Sequence, residues 1–282
     1  MKTPMSNPRT ALANLPGSHS QASCHLSVTP SMGASLWERL RLLASSYGSS
    51  SSLAILMPKN GEERVRNLVH RGAPRPVCKY PSFKLNRTVE CESLLEVDLA
   101  ILLDASPAIS AFAEQAVTLC YFECGARRNH VPDYVVLVRG QLHLVEVKFK
   151  HDVDTDVQSR TARLRSLLRP MGISYRVWTE EHIRQGTWLE NARQLLRRGR
   201  YSISDLELLN CYERLRSRGP STLEQWGWHE SGNHTAVGVA RLILQGRARV
   251  DLSRRLSAQT RIWAVDGNCQ EEVGQWPLAR FV

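Results

Sequence analysis

The chain has 282 residues, 42% of them hydrophobic, and a formal net charge of +10. That is length for one or two domains with a sizeable core, and a basic balance that favours a polyanionic partner. Seven cysteines at 24, 78, 91, 120, 124, 211 and 269, with no C-x-x-C pair, argue against a disulfide scaffold or structural zinc, and no apolar run reaches the ~20 residues of a membrane span.

The first 60 residues are rich in Ser with few large apolar side chains. Such a composition buries too little surface to offset ordering entropy, so a disordered or weakly ordered tail is expected over 1–60. Within it, Ser35 to Ala44 has the pattern of one short amphipathic helix packing on a surface. Residues 72 to 90 carry Pro74, Pro76 and Pro81 with Arg75, Lys79, Lys84 and Arg87, and read as an extended basic approach that tracks phosphates or lies solvated.

From Ser93 to Leu103, Leu95, Leu99, Leu102 and Leu103 repeat at helical spacing and form one buried stripe. Glu96 sits at the edge of that stripe. Ser93-x-x-Glu96 is also a capping box, in which Glu96 returns a hydrogen bond to the Ser93 N–H. Glu92 and Asp98 are the other acids here, and spacing does not choose among the three.

Tyr134 to Val138 and Gln141 to Phe149 are rich in β-branched residues, and Arg139-Gly140 between them is a two-residue turn with Gly supplying positive φ. With that turn Val138 opposes Gln141, and stepping outward brings Asp133 opposite Glu146. Opposed Cβ atoms in such a pair lie ~4.5–5.5 Å apart, where like charges repel unless a cation neutralises them. Lys148 follows on the Glu146 face, while Val145, Val147 and Phe149 point into a core. Two carboxylates with an ammonium beside them suit a hard cation and a phosphodiester. The competing reading makes Asp133 a turn residue and Glu146 and Lys148 the solvated face of an edge strand.

Thr155 to Arg169 reads as a basic amphipathic helix stopped by Pro170 and Gly172, with Arg160 and Arg163 on its polar side; Ile173 to Trp178 is then a strand. Trp178 and His182 read as core and surface residues. The α-β-β-α-β order predicts an α/β fold with a mixed sheet flanked by helices over 72–200. From 201 to 282 the expectation is a winged-helix-like domain: helices over 205–216, 222–228 and 236–245, then strands near 249–252 and 261–265, with Ser221 as an N-cap and Gly246 as a terminator. Arg247, Arg249, Arg254, Arg255 and Arg261 would suit phosphates on the wing.

The blocks Glu92-Ser-Leu-Leu-Glu-Val-Asp98, Ala113-Glu-Gln115, Val131-Pro-Asp-Tyr134, Glu146-Val-Lys148 and Gly172-Ile-Ser-Tyr-Arg-Val-Trp-Thr-Glu-Glu181 resemble, in order and spacing, TnsA, the endonuclease subunit of heteromeric Tn7-like transposases. The resemblance covers roughly residues 72 to 200 and extends more loosely beyond. It implies a restriction-endonuclease-like fold of the PD-(D/E)xK type and a DNA endonuclease that cuts the 5′ ends of a transposon. Glu96, Asp133 and Glu146 would hold Mg²⁺ or Mn²⁺, as two ions, and Lys148 would position or activate the attacking water. Its implied partners are double-stranded DNA at transposon ends, a DDE transposase of the TnsB type and an AAA+ ATPase of the TnsC type. Its implied location is the bacterial cytoplasm, on the nucleoid when active. In that family the C-terminal region docks the regulator and transposase, and this reading stands above DNA reading here. Gln115 departs from the family pattern, since Ala116 and Val117 follow it, and reads as a turn-stabilising amide. Two other readings stand beside this one: a catalytically silent adaptor bridging DNA and transposase, and a stand-alone restriction or repair nuclease.

Overall fold

The computed structural model describes residues 32–46, 52–59, 62–65, 77–230 and 232–265. Within the Ser-rich stretch expected to remain a tail, it holds a helix, α1 (Met32–Ser46), and a strand, β1 (Leu53–Leu56). Leu36 and Leu40, one helical turn apart, are buried on α1, and alternate residues Leu53 and Ile55 are buried on β1. The helix covers the amphipathic stretch expected over Ser35 to Ala44; composition hid only β1, because a few apolar residues at the right spacing are enough to dock a short element. Arg75 lies outside the described residues.

The chain continues through the hairpin β2 (Cys78–Ser82) and β3 (Arg87–Cys91), helix α2 (Leu94–Ala105), and strands β4 (Ile109–Glu114), β5 (Thr118–Glu123), β6 (Ala126–His130), β7 (Tyr134–Val138) and β8 (Gln141–Val147). Helix α3 (Thr155–Leu168) follows, then β9 (Ser174–Trp178), α4 (Glu180–Ile183) and α5 (Trp188–Gly199). Strands order as β4-β7-β8-β9 in the central sheet and β1-β5-β6 in a second. The β8–β9 pair is parallel and its neighbours antiparallel, so the central sheet is mixed and the class α/β.

The Arg139-Gly140 turn has φ of 47° and 81°, both positive as a tight two-residue hairpin loop requires, and Val138 pairs with Gln141. Period two then divides the hairpin. Val136, Val138, Val145 and Val147 face a core shared with α2, while Val135, Leu137, Leu142 and Leu144 face a core shared with α1, α3 and β1. Strand β8 is therefore no edge strand. It lies between β7 and β9, and Glu146 is 4% exposed, which removes the reading of Glu146 as part of a solvated face.

The last part comprises α6 (Asp205–Arg218), β10 (Ser221–Thr222), α7 (His234–Leu244), β11 (Ala248–Val250) and β12 (Arg261–Ala264), with the three strands ordered β10-β12-β11. The helix expected over 222–228 is only a 3-10 turn, Leu223–Trp226, capped by Thr222. Ser221 lies in the strand before it and accepts from Trp226 Nε1 at 2.9 Å, a side-chain role instead of a cap. Gly246, at φ 74°, ends α7 as expected. One hydrophobic core runs without a break from Val136 and Leu99 through Leu195 of α5 to Val239 of α7 and Ile262 of β12.

Candidate metal and phosphodiester site

The Asp133 and Glu146 carboxylates meet at the open end of the β7–β8 hairpin. Asp133 immediately precedes β7; its carbonyl accepts from Gln115 N–H at 2.9 Å and its Oδ2 from Val147 N–H at 2.7 Å, which fixes the side chain across the strands. Lys148 leaves β8 on the Glu146 side, and its Nζ lies 3.0 Å from Glu146 Oε1. Arg160 of α3 places Nη2 3.8 Å from the same oxygen. Glu146 Oε2 is 3.2 Å from His130 Nε2, an ion-pair distance, while that ring nitrogen has its well-directed hydrogen bond at 2.8 Å with the Tyr175 hydroxyl. Glu146 Oε2 is thus a buried oxygen with no aligned donor.

Electrostatics separate the acids. Burial first, then the charges of Glu146 and Glu96, push the Asp133 carboxyl well above the usual carboxylate range, against the pull of Val147 N–H and Lys148. Burial likewise raises Glu96. Burial would raise Glu146 as well, yet His130 and Lys148 outweigh it and hold Glu146 below its ordinary value. Burial lowers Lys148, but Glu146 and Asp133 outweigh that, so its ammonium is kept above the usual lysine range.

Of the acids at the start of α2, Glu96 is the one whose charge bears on Asp133. Glu92 accepts from Gln115 Nε2 at 2.9 Å, and Asp98 pairs with Arg184 and Arg193 on the side of α4 and α5. Gln115, at φ 45° and 3% exposed, ties the end of β4 to the start of α2. Glu96 also caps the helix, with a twist on the expected box: its Oε2 accepts from Glu92 N–H at 2.9 Å and its Oε1 from the Ser93 hydroxyl, instead of from Ser93 N–H. Cap and site are two uses of one carboxylate.

Two of the basic residues expected on DNA are turned inward. Lys84 Nζ donates to the carbonyls of Leu103, Ser106 and Ile109 at 2.6 to 2.9 Å, closing the end of α2. Burial pushes its amine down to about 7, but three carbonyl acceptors call for three N–H donors, which the ammonium alone supplies. Arg87 grips Glu114 with two bonds of 2.7 Å, an internal pair that leaves no fork for a phosphate. Lys79 is exposed on β2 opposite Glu90, and Arg163 is exposed on α3.

His130 and Tyr175 belong to this constellation and were not expected. His130 stands three positions before Asp133, a spacing that carries no meaning until β6 is seen to end beside β8. Tyr175 is opposite Leu144 on β9, on the Glu146 face.

As they lie, no three His, Cys, Asp or Glu side chains among the described residues enclose a metal-sized space. The donor set nevertheless fits a hard divalent cation: oxygen ligands only, one of them a buried carboxylate oxygen with no aligned hydrogen bond, and two carboxyls raised by burial and by their like-charged neighbours. No protein-family model matches the chain, and no curated protein matches it significantly.

Proposed function

We propose that this chain is a metal-dependent DNA endonuclease with a restriction-endonuclease-like core, acting at the 5′ ends of a transposon beside a DDE transposase and an AAA+ ATPase. The observation that carries the chemistry is Glu146: a buried acid on a central strand, opposite Asp133, with one oxygen on Lys148 and the other lacking an aligned donor. The transposon context rests on the sequence blocks that resemble TnsA. Asp133 and Glu146 would hold Mg²⁺ or Mn²⁺, and Glu96 would join them by giving up a cap bond. When bound, the cation supplies Lewis-acid polarisation of the phosphodiester and a water of lowered pKa.

The chain's own groups divide the remaining work. Lys148 stays protonated because two carboxylates face it, so its Nζ donates hydrogen bonds that orient a water and stabilise charge growing on phosphate oxygens. Its raised pKa makes it a poor proton acceptor. His130 holds Glu146 at the oxygen away from Lys148, Arg160 lies at the oxygen that Lys148 holds, and Tyr175 fixes the His130 ring. We read α6, β10, the 3-10 turn, α7, β11 and β12 as a winged-helix module used for docking the partner proteins.

The test is cleavage of a transposon-end duplex in the reconstituted transposase. Asp133→Asn and Lys148→Ala each abolish 5′-end cutting with the fold retained; full nicking by either variant overturns the assignment. A second reading, the silent adaptor, is favoured by the Lys148–Glu146 pair, in which the ammonium already neutralises the acid. Calorimetric titration of Mn²⁺ separates them, because the adaptor gives no heat that Glu146→Ala removes.

A further inference from the structure

Strand β6 is an edge strand whose residues Ala126 to Asn129 are all exposed, which a strand with one face on a core does not show. It pairs with β5 around the two-residue turn Cys124-Gly125, both at positive φ; β1 pairs with β5 as far as Tyr121, so beyond that residue the hairpin tip is two strands wide, with solvent along its β6 side. Period two separates its faces. Arg128 opposes Tyr121, and His130 opposes Leu119, on the face toward α3. Arg127 opposes Phe122, and Asn129 opposes Cys120, on the other.

The inner face is strongly basic. Arg128 opposes Tyr121, and Arg160 and Arg163 stand on α3, which shares a core with Tyr121; their charges pull the Tyr121 hydroxyl down against burial and Glu123, which raise it. Arg128 is 58% exposed and meets one acid, Glu123, at 3.6 Å. Arg163 reaches across from α3 to the Phe122 carbonyl at 3.4 Å, which fixes the ribbon against the helix. Arg160 and Lys148 both lie at Glu146 Oε1, at 3.8 and 3.0 Å. On the outer face, exposed Arg127 sits beside Phe122, an aromatic ring 59% in solvent.

We propose that the β5–β6 ribbon enters a groove of duplex DNA, its inner face with Arg160 and Arg163 seating the strand to be cut and its outer face, Arg127 and Phe122, meeting the opposite strand. The tip beyond Tyr121 is a two-stranded ribbon, which fits the major groove, and arginines on both of its faces reach the phosphate walls on either side. The inference rests on the nuclease reading for the identity of the cut strand, but not for DNA contact itself.

The experiment uses the full chain in EDTA, where cutting is silent, with fluorescence anisotropy of a short labelled duplex and of one of its strands alone across a salt series. Arg128→Ala/Arg163→Ala weakens both probes by about tenfold and lowers the log–log salt slope by about one per phosphate contact removed. Arg127→Ala/Phe122→Ala weakens the duplex by a similar factor and leaves the single strand as it was. Arg41→Ala, on the helix whose Arg39 meets the opposite, Gly140 end of the hairpin, binds as wild type. Wild-type binding by both double variants overturns the proposal, as does equal loss of single strand in the outer-face variant. If Asp133→Asn still cuts, the nuclease reading falls and the binding result stands by itself.

Discussion

Lys148 Nζ lies 3.0 Å from Glu146 Oε1, two positions away and just past the end of β8, so the ammonium is the counter-ion of the buried acid. Lys148→Met should cut about 10²–10³-fold more slowly in single turnover, a loss typical of one stabilising donor. Lys148 is one-third exposed, so circular dichroism should show the fold unchanged. Cutting within twofold of wild type would place charge stabilisation elsewhere.

Asp133 and Glu146 shift in opposite directions, and their pH signatures differ accordingly. In the metal-free protein Asp133 is raised above its unfolded value of ~3.9, so its contribution is present below that value and lost as pH rises through the folded one. Glu146 is lowered, so its contribution is present above its unfolded value of ~4.3 and lost as pH falls through the folded one. Asp133→Asn keeps an oxygen for Val147 N–H and removes the like charge. In EDTA at about pH 7 it should melt roughly 2–4 °C higher than wild type, with the gain shrinking toward about pH 4. A lower midpoint at neutral pH would mean that Asp133 is not held against its neighbours' charge.

Divalent ion should reverse that order. Excess Mn²⁺ raises the melting midpoint of wild type, since a ligand that binds only the folded state stabilises it, and leaves Asp133→Asn/Glu146→Gln where it was. Equal shifts in both proteins would locate the ion at other residues.

Lys84 and Arg87 should behave as structural residues. Lys84→Met leaves three carbonyls at the end of α2 without donors, at a cost of about 2–3 kcal/mol. Arg87→Ala leaves Glu114, 3% exposed, as an unpaired buried charge, at about 3–5 kcal/mol. Denaturant melts should report both losses while duplex affinity of the folded fraction stays unchanged; a selective loss of affinity would return these residues to the DNA surface.

Helix α5 packs on both α2 and α7, with Leu195 and Leu196 in the core that also holds Leu102 and Val239. A chain ending at residue 200 exposes that face, and should lack a cooperative melt by circular dichroism. A sharp transition like that of the full chain would show that the first 200 residues fold alone.

The β7–β8 hairpin was legible because its determinants are local: β-branched residues at period two, a turn whose Gly takes positive φ, and a register that follows by counting. The same holds for α3, with its Asp154 cap and left-handed Gly172. Strands β4, β5 and β6 were passed over, since Ile109–Glu114 and Thr118–Glu123 carry no strong alternation and Ala126–His130 is polar throughout. What makes β4 and β5 strands is pairing with partners distant in sequence, β7 for β4 and β1 for β5, and β6 then pairs back on β5.

The sequence by itself determined the opposition of Asp133 and Glu146, and Lys148 beside them, because neighbours in a tight hairpin have no freedom to be elsewhere. Only the tertiary structure decided which acid of α2 bears on Asp133, that His130 and Tyr175 close the far side of Glu146, and that Lys84 and Arg87 are spent internally. Those outcomes depend on what packs against each charge. A buried lysine or arginine takes whatever carbonyl or carboxylate the fold brings within reach, and local spacing carries no record of that partner.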